Sequence, residues 1–296
     1  MLRLCRGTTL KNRGKKMYKL KLGISLSLFD PSRYRNEIFD ELKRIKELGF
    51  DSVELSLGNT CGYKHSMETV FEKIGEVMRA VLAEGLILNS IHLPFGVFVF
   101  TSSVDEKLRT WTMSEFQKLF EICDVYNPAC YVFHSCISPK TIEERGVRKE
   151  VLLRSFKEMS EMTSSYVCME NLVNLGLPNT STEAVEILRE IPNGWACLDT
   201  NHFLQEKTEN GVLTLGKYIK TLHISDHDYI AEKHQLPKEG KIDWNNVLAA
   251  LEKVGYNGVF TYEVNRRKYG YTFEDVRRNY DMLFREYNER KLYANK

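Results

Sequence analysis

The sequence lacks the run of about 20 consecutive apolar residues that a membrane-spanning helix needs, so no span is expected. It also lacks the signatures of several large enzyme classes. There is no G-x-x-x-x-G-K-[ST], no G-x-G-x-x-G and no G-x-S-x-G, which removes the P-loop, the dinucleotide fingerprint and the serine-hydrolase elbow. Seven cysteines are present, at 5, 61, 123, 130, 136, 168 and 197, yet none forms a C-x-x-C pair. Several lie inside apolar runs, so they read as buried reduced thiols of a cytoplasmic protein, not as a disulfide framework or a zinc knuckle. Glycine and proline are scattered, leaving no linker, low-complexity tract or short-period repeat.

Charge is nearly balanced but unevenly placed. Residues 1–16 carry Arg3, Arg6, Lys11, Arg13, Lys15 and Lys16 and no acid, with no apolar stretch of the secretory kind. Removing those six positive charges from a net +2 leaves −4 for residues 17–296. A mildly acidic body disfavours a general nucleic-acid surface. Residues 1–16 are expected to be a disordered basic leader or to lie ahead of a true start at Met17. Residues 17–296 are expected to form one domain.

With 43% hydrophobic and 28% charged residues, the 296-residue chain can bury a sizeable core. Strand-like apolar runs recur at 20–28, 52–57, 86–93, 130–135, 166–171, 195–200, 219–225 and 258–264. Helical stretches separate them, at about 36–48, 67–83, 106–126, 141–162, 182–189, 213–218, 244–254 and 273–289. Gly49, Gly85 and Gly255 stand just after helical runs, where a left-handed residue is wanted. Thr180 or Ser181, and Asp243, stand where N-caps are wanted. Eight strand–helix units predict a single (β/α)8 TIM barrel, an α/β fold.

Four of the later runs stop on residues that can bind a metal: Glu170, Asp199 (with His202 just beyond), His223 and Glu263. His92 and His134 end earlier runs. The C-terminal ends of barrel strands are where this fold keeps its chemistry. A single histidine there is commonly a hydrogen-bonded structural residue. A buried carboxylate is harder to dismiss, because it is costly unless paired or coordinated. Two Glu, one Asp and one His make a mixed oxygen–nitrogen set suited to Mn, Zn, Mg or Co. His65 and His227 have no such context and read as surface residues.

These pieces resemble the xylose isomerase-like TIM-barrel superfamily, which holds sugar and sugar-phosphate isomerases and epimerases together with the endonuclease IV-like enzymes. The resemblance spans residues 21–289. It rests on Ile91-His92-Leu93-Pro94, Met169-Glu170-Asn171, Asp199-Thr200-Asn201-His202, His223-Ile224-Ser225-Asp226, Gly240-Lys241-Ile242-Asp243-Trp244 and Tyr262-Glu263. It implies one divalent metal on Glu170, Asp199, His223 and Glu263, proton transfer by Glu170 and Glu263, and substrate contacts from His92 and His202. The endonuclease branch implies further ligands, His134 and His234 among them, with Glu232 where that branch has Asp. Two positions depart from relatives: Tyr229 stands where epimerases of free ketohexoses have Arg, and Lys238 where Gly is usual.

The resulting expectation is a cytoplasmic, metal-dependent isomerase or epimerase of a sugar, sugar phosphate or related polyol, as a monomer or a homo-oligomer. It would act by proton transfer next to a carbonyl, with a small carbohydrate as substrate, no nucleic acid and no membrane. The alternatives are a zinc phosphodiesterase at abasic DNA, a dehydratase or other lyase using the same enolate chemistry, and a non-catalytic sugar-binding barrel.

Overall fold

A computed structural model describes residues 17–28, 37–58, 67–96, 99–135 and 139–293. The basic leader, Cys5, Cys61, His65 and Cys136 lie outside them. The strands are β1 (Lys21–Ser27), β2 (Ser52–Ser56), β3 (Ile87–His92), β4 (Cys130–Phe133), β5 (Tyr166–Glu170), β6 (Gly194–Asp199), β7 (Ile219–His223) and β8 (Val259–Tyr262). The helices are α1 (Glu37–Glu47), α2 (Met67–Ala83), α3 (Glu106–Cys123), α4 (Ile142–Met162), α5 (Ser181–Glu190), α6 (Thr208–Leu215), α7 (Trp244–Lys253), the one-turn α8 (Arg266–Tyr269) and α9 (Phe273–Tyr293).

All ladders are parallel, in the order β7-β6-β5-β4-β3-β2-β1-β8. Just past β7 and along β8, the Ile224 amide donates to Thr261 O at 2.8 Å and the Glu263 amide to Ile224 O at 3.0 Å. Those bonds close the ring, so the expected eight-stranded barrel is borne out.

Local signals account for the alternation. Gly49, Gly85 and Gly255 take φ of +76°, +66° and +75° and turn each helix into the next strand or its approach. Thr180 Oγ1 accepts from the Glu183 amide at 3.2 Å and Asp243 Oδ1 from the Asn246 amide at 3.1 Å, each capping its helix. α6 starts earlier than the 213–218 expected from its apolar pattern. The polar Thr208-Glu209-Asn210 turn masks that start. Thr208, Gly211, Val212 and Leu215 supply the buried stripe, and Phe203 lies so close to Gly211 that an added Cβ would meet its ring at 2.5 Å. α8 has no periodicity to reveal it.

The larger apolar cluster lies between strands and helices. Cys130, Val132, Cys168 and Cys197 form a separate small cluster. Bonds across the ring mark its inner face: Asn89 Nδ2 donates to Thr221 Oγ1 at 3.0 Å, and His223 Nε2 meets Glu54 Oε2 at 2.9 Å. The reading of buried free thiols holds for the described Cys123, Cys130, Cys168 and Cys197.

One buried carboxylate shapes the loop after β7. Asp226 accepts from the amides of His227 (2.8 Å), Lys238 (2.7 Å) and Ile242 (3.1 Å) and from Trp244 Nε1 (2.7 Å). A Cβ on Gly240 would sit 2.3 Å from Asp226 Oδ1, so only glycine lets the chain pass. Lys238 adopts φ +76°, a conformation that favours glycine, so lysine here keeps a glycine-type turn. Its Nζ pairs with Glu286. The same folding-back buries His227 completely, correcting the surface reading; its Nδ1 accepts from the Tyr229 amide at 2.9 Å.

Asp226→Asn keeps the shape but turns an amino group toward donors. It should cost about 2–4 kcal/mol in chemical denaturation, the loss expected when charge-assisted bonds in a buried site are broken. A change below about 0.5 kcal/mol would show that the loop is held by other means.

Candidate metal centre

The strand ends bring the expected residues to one face of the barrel. Glu170 closes β5, Asp199 β6 and His223 β7, while Glu263 follows β8. One ligand atom from each lies within 4.8 Å of the others. Two further groups meet the same criterion: His92 with Glu170 and His223, and His202 with Glu232 and His234. His134 Nε2 stands 3.1 Å from Glu170 Oε2 and 3.2 Å from His92 Nε2. Phe95 stacks on the His134 ring at 4.6 Å.

Most of these rings face acceptors on both sides. His92 Nδ1 lies 2.9 Å from Leu93 O, His202 Nδ1 2.7 Å from Asn171 O, His234 Nδ1 3.1 Å from Glu263 O and His223 Nε2 2.9 Å from Glu54 Oε2. Carbonyls and carboxylates only accept, so a neutral ring, with its single proton, leaves one nitrogen as a lone pair facing an acceptor. The opposite nitrogens face carboxylate oxygens. His92 Nε2 lies 3.2 Å from Glu170 Oε2, and His202 Nε2 2.9 Å from Glu232 Oε1. His223 Nδ1 lies 3.3 Å from both Glu170 Oε2 and Glu263 Oε2. Acceptor facing acceptor in a buried site is repulsive unless a proton or a cation lies between. His223 Nδ1 and Asp199 Oδ2 are both buried without a hydrogen bond. The donor set and these orphaned atoms fit a divalent cation held by Glu170, Asp199, His223 and Glu263.

Neighbouring groups hold the cluster in place. Asn171 joins β5 to β6, donating from Nδ2 to Asp199 O at 3.0 Å and accepting the Asp199 amide at 2.8 Å. Asn201 Oδ1 accepts the amides of Lys233 (3.1 Å) and His234 (3.2 Å) and so places the Glu232–His234 segment. Glu54, on β2, escaped the sequence reading. It is fully buried, orients His223, and accepts hydroxyl bonds from Ser25 (2.7 Å) and Ser90 (2.6 Å). An acid inside the run Ser52-Val53-Glu54-Leu55 was the available signal, but it does not end the run as the other acids do.

The acids diverge in their titration. Burial would raise the Glu54 carboxyl, but His223, His92 and the Ser90 hydroxyl bring it down to about 2. Burial drives Asp199 up to about 7, with Glu263 and Glu170 adding to the rise against the opposing His202.

The family model described as xylose isomerase-like TIM barrel matches residues 42–285. The chain belongs to this family. It is 24% identical over 230 residues to a D-psicose 3-epimerase of Ruminiclostridium cellulolyticum, covering 73% of this chain and 74% of that protein. It is 26% identical over 239 residues to an inosose isomerase of Bacillus velezensis, covering 73% and 84%. Among solved structures, a D-tagatose 3-epimerase-like protein superposes with a TM-score of 0.72 at 19% identity, covering 94% of this chain and all of that one. Where ketohexose epimerases were expected to carry Arg, Tyr229 sits half-buried with its ring 4.5 Å from the His227 ring. No described helix is long and apolar enough to cross a membrane.

Two outcomes are expected from metal titrations. Glu54→Gln should weaken divalent-metal affinity about 10–100-fold, because the carboxylate behind His223 is lost; unchanged affinity would make Glu54 a packing residue only. In the wild type, affinity should rise with pH through about 7. Below that pH the metal-free Asp199 retains a proton that binding must expel. A flat profile from pH 6 to 8 would remove Asp199 from the ligand set.

Proposed function

We propose that this chain is a divalent-metal-dependent isomerase or epimerase of a sugar, sugar phosphate or related polyol. One observation carries the reading: Glu170 and Glu263, from strands on different sides of β7, each stand 3.3 Å from His223 Nδ1. Two carboxylates thus flank a single point that a cation would neutralise. Glu170 is 1% exposed and Glu263 25%, so one acid is sealed in and the other faces the open side. Glu263 also lines a cavity of about 530 Å³ with Ser25, Ser27, Ser56, Asn265 and Arg266. That volume and polarity suit a carbohydrate.

The proposed mechanism assigns each group a task. A bound divalent cation would polarise a carbonyl and lower the barrier to removing the neighbouring C–H proton. Glu170, Asp199, His223 and Glu263 would hold it. One of Glu170 and Glu263 takes the proton at a carboxylate oxygen. The other delivers a proton to the opposite face of the planar carbon. His92 and His202 orient hydroxyl groups of the substrate. His134 and His234 are the added ligands if more than one cation binds. The domain doing this would span residues 17–296, and residence in the cytoplasm accords with the free thiols.

A second reading, zinc phosphodiesterase chemistry, draws on the His202–Glu232–His234 group, a second set of candidate ligands beside the first. The acidic body weighs against a DNA substrate.

The deciding experiment is NMR of D-psicose, inosose and related keto-sugars in D₂O with metal-replete protein, with metal content measured for each variant. Glu170→Gln and Glu263→Gln should each lower turnover at least about 10²-fold, since an amide cannot accept the proton. Full activity in both variants would remove the two-carboxylate mechanism. Incision of an abasic-site duplex at enzymatic rates, with every keto-sugar inert, would favour the phosphodiesterase.

A further inference from the structure

The end of the barrel opposite the metal cluster carries an unassigned cavity of about 440 Å³. The first residues of five strands line it: Lys21 of β1, Ile87 of β3, Cys130 of β4, Ile219 of β7 and Val259 of β8. It therefore opens at the N-terminal mouth, while the metal cluster sits at the strands' C-terminal ends. That volume falls within the range of small-molecule sites.

Its lining is one-sided in charge. Lys21, Lys217 and Lys220 contribute three ammonium groups, and no Asp or Glu lines the cavity. None of the three lysines forms an ion pair with a carboxylate among the described residues. Lys220 is half-buried, its Nζ 3.5 Å from the centre of the Tyr166 ring and 5.5 Å from that of Trp195. Aromatic faces hold the ammonium without neutralising it. The rest of the chain from Met17 onward is net acidic, so three unopposed lysines around one concavity contrast with their surroundings.

Trp195 also lines the cavity, its Nε1 turned into the protein and buried, so the ring adds apolar wall to the space. Three cations and no acid around a metabolite-sized space call for a ligand rich in negative acceptor oxygens. The leader is an unfit occupant, because it carries six positive charges and no acid.

We propose that the N-terminal mouth of the barrel binds a small polyanion, a phosphate ester or a polycarboxylate. The lysines supply the attraction, and the Trp195 ring forms part of the wall. The site is separate from the metal centre and does not depend on the reaction proposed there.

Trp195 makes the site observable. Trp111 is exposed and can be replaced by Phe, leaving Trp195 and the core Trp244 as emitters. Glycerol 3-phosphate and tricarballylate, titrated separately at constant ionic strength, represent the two ligand sources. At least one should shift tryptophan emission saturably with Kd below about 1 mM. The probe that binds identifies the source. The double variant Lys217→Ala/Lys220→Ala should weaken that binding tenfold or more while metal content stays unchanged. No saturable change with either probe up to about 10 mM would overturn the site. Equal affinity in the double variant would also overturn it, as would binding lost in Asp199→Ala but kept in the double variant, which would place the anion at the metal centre.

Discussion

The architecture depends on a local conflict: buried lone pairs pointed at one another. Glu170 sits at its centre, with His92, His134 and His223 nitrogens all within 3.3 Å of one carboxylate oxygen. The outer nitrogens of His92 and His223 are already committed to Leu93 O and Glu54, so these rings cannot turn to relieve the repulsion without breaking those bonds. Such a cluster is tolerable in a protein interior only with a positive charge among the acceptors, whether protons or a divalent ion. A divalent ion would answer the conflict with one particle and leave a carboxylate ionised to take a proton in the proposed reaction, which full protonation of the cluster would not.

The scaffold around that conflict is built to keep it from collapsing. Asn171 clamps two strand ends and Glu54 reaches across the ring to His223. Asp226 gathers three amides and an indole to fix the loop that delivers Glu232 and His234. Each of these groups is buried and each satisfies backbone or ring donors, so displacing one propagates to the ligands it positions. Away from the cluster, Cys130, Val132, Cys168 and Cys197 pack together with Trp195 against them. The two mouths therefore present opposite chemistry, acids and imidazoles at one end and unopposed lysines at the other.

Much was legible in the sequence because it is carried by local rules. Eight apolar runs alternating with amphipathic segments admit few closed architectures, and left-handed glycines after helices and capping hydroxyls or acids before them mark the joints. An acid that terminates an apolar run is conspicuous for the same reason: it breaks a pattern that burial otherwise enforces. Glu170, Asp199 and Glu263 stand out in that way. Glu54 does not, because it lies mid-run, where alternation alone allows an acid to face solvent; the barrel's closure is what turns it inward. His227 gave the opposite error. Its polar neighbours suggest a surface loop, but the loop folds back on Asp226 and buries it.

The sequence by itself determined the element order, the barrel, and which residues stand at strand ends, because hydrophobic period and turn chemistry are properties of neighbours along the chain. Only the tertiary structure decided which of those strand-end residues share oxygen–nitrogen contacts, which imidazole nitrogen is left free, and that Lys21, Lys217 and Lys220 surround one cavity. Those facts depend on distances between segments as many as 199 residues apart in the chain. Ring closure fixes such distances, and no local pattern encodes them.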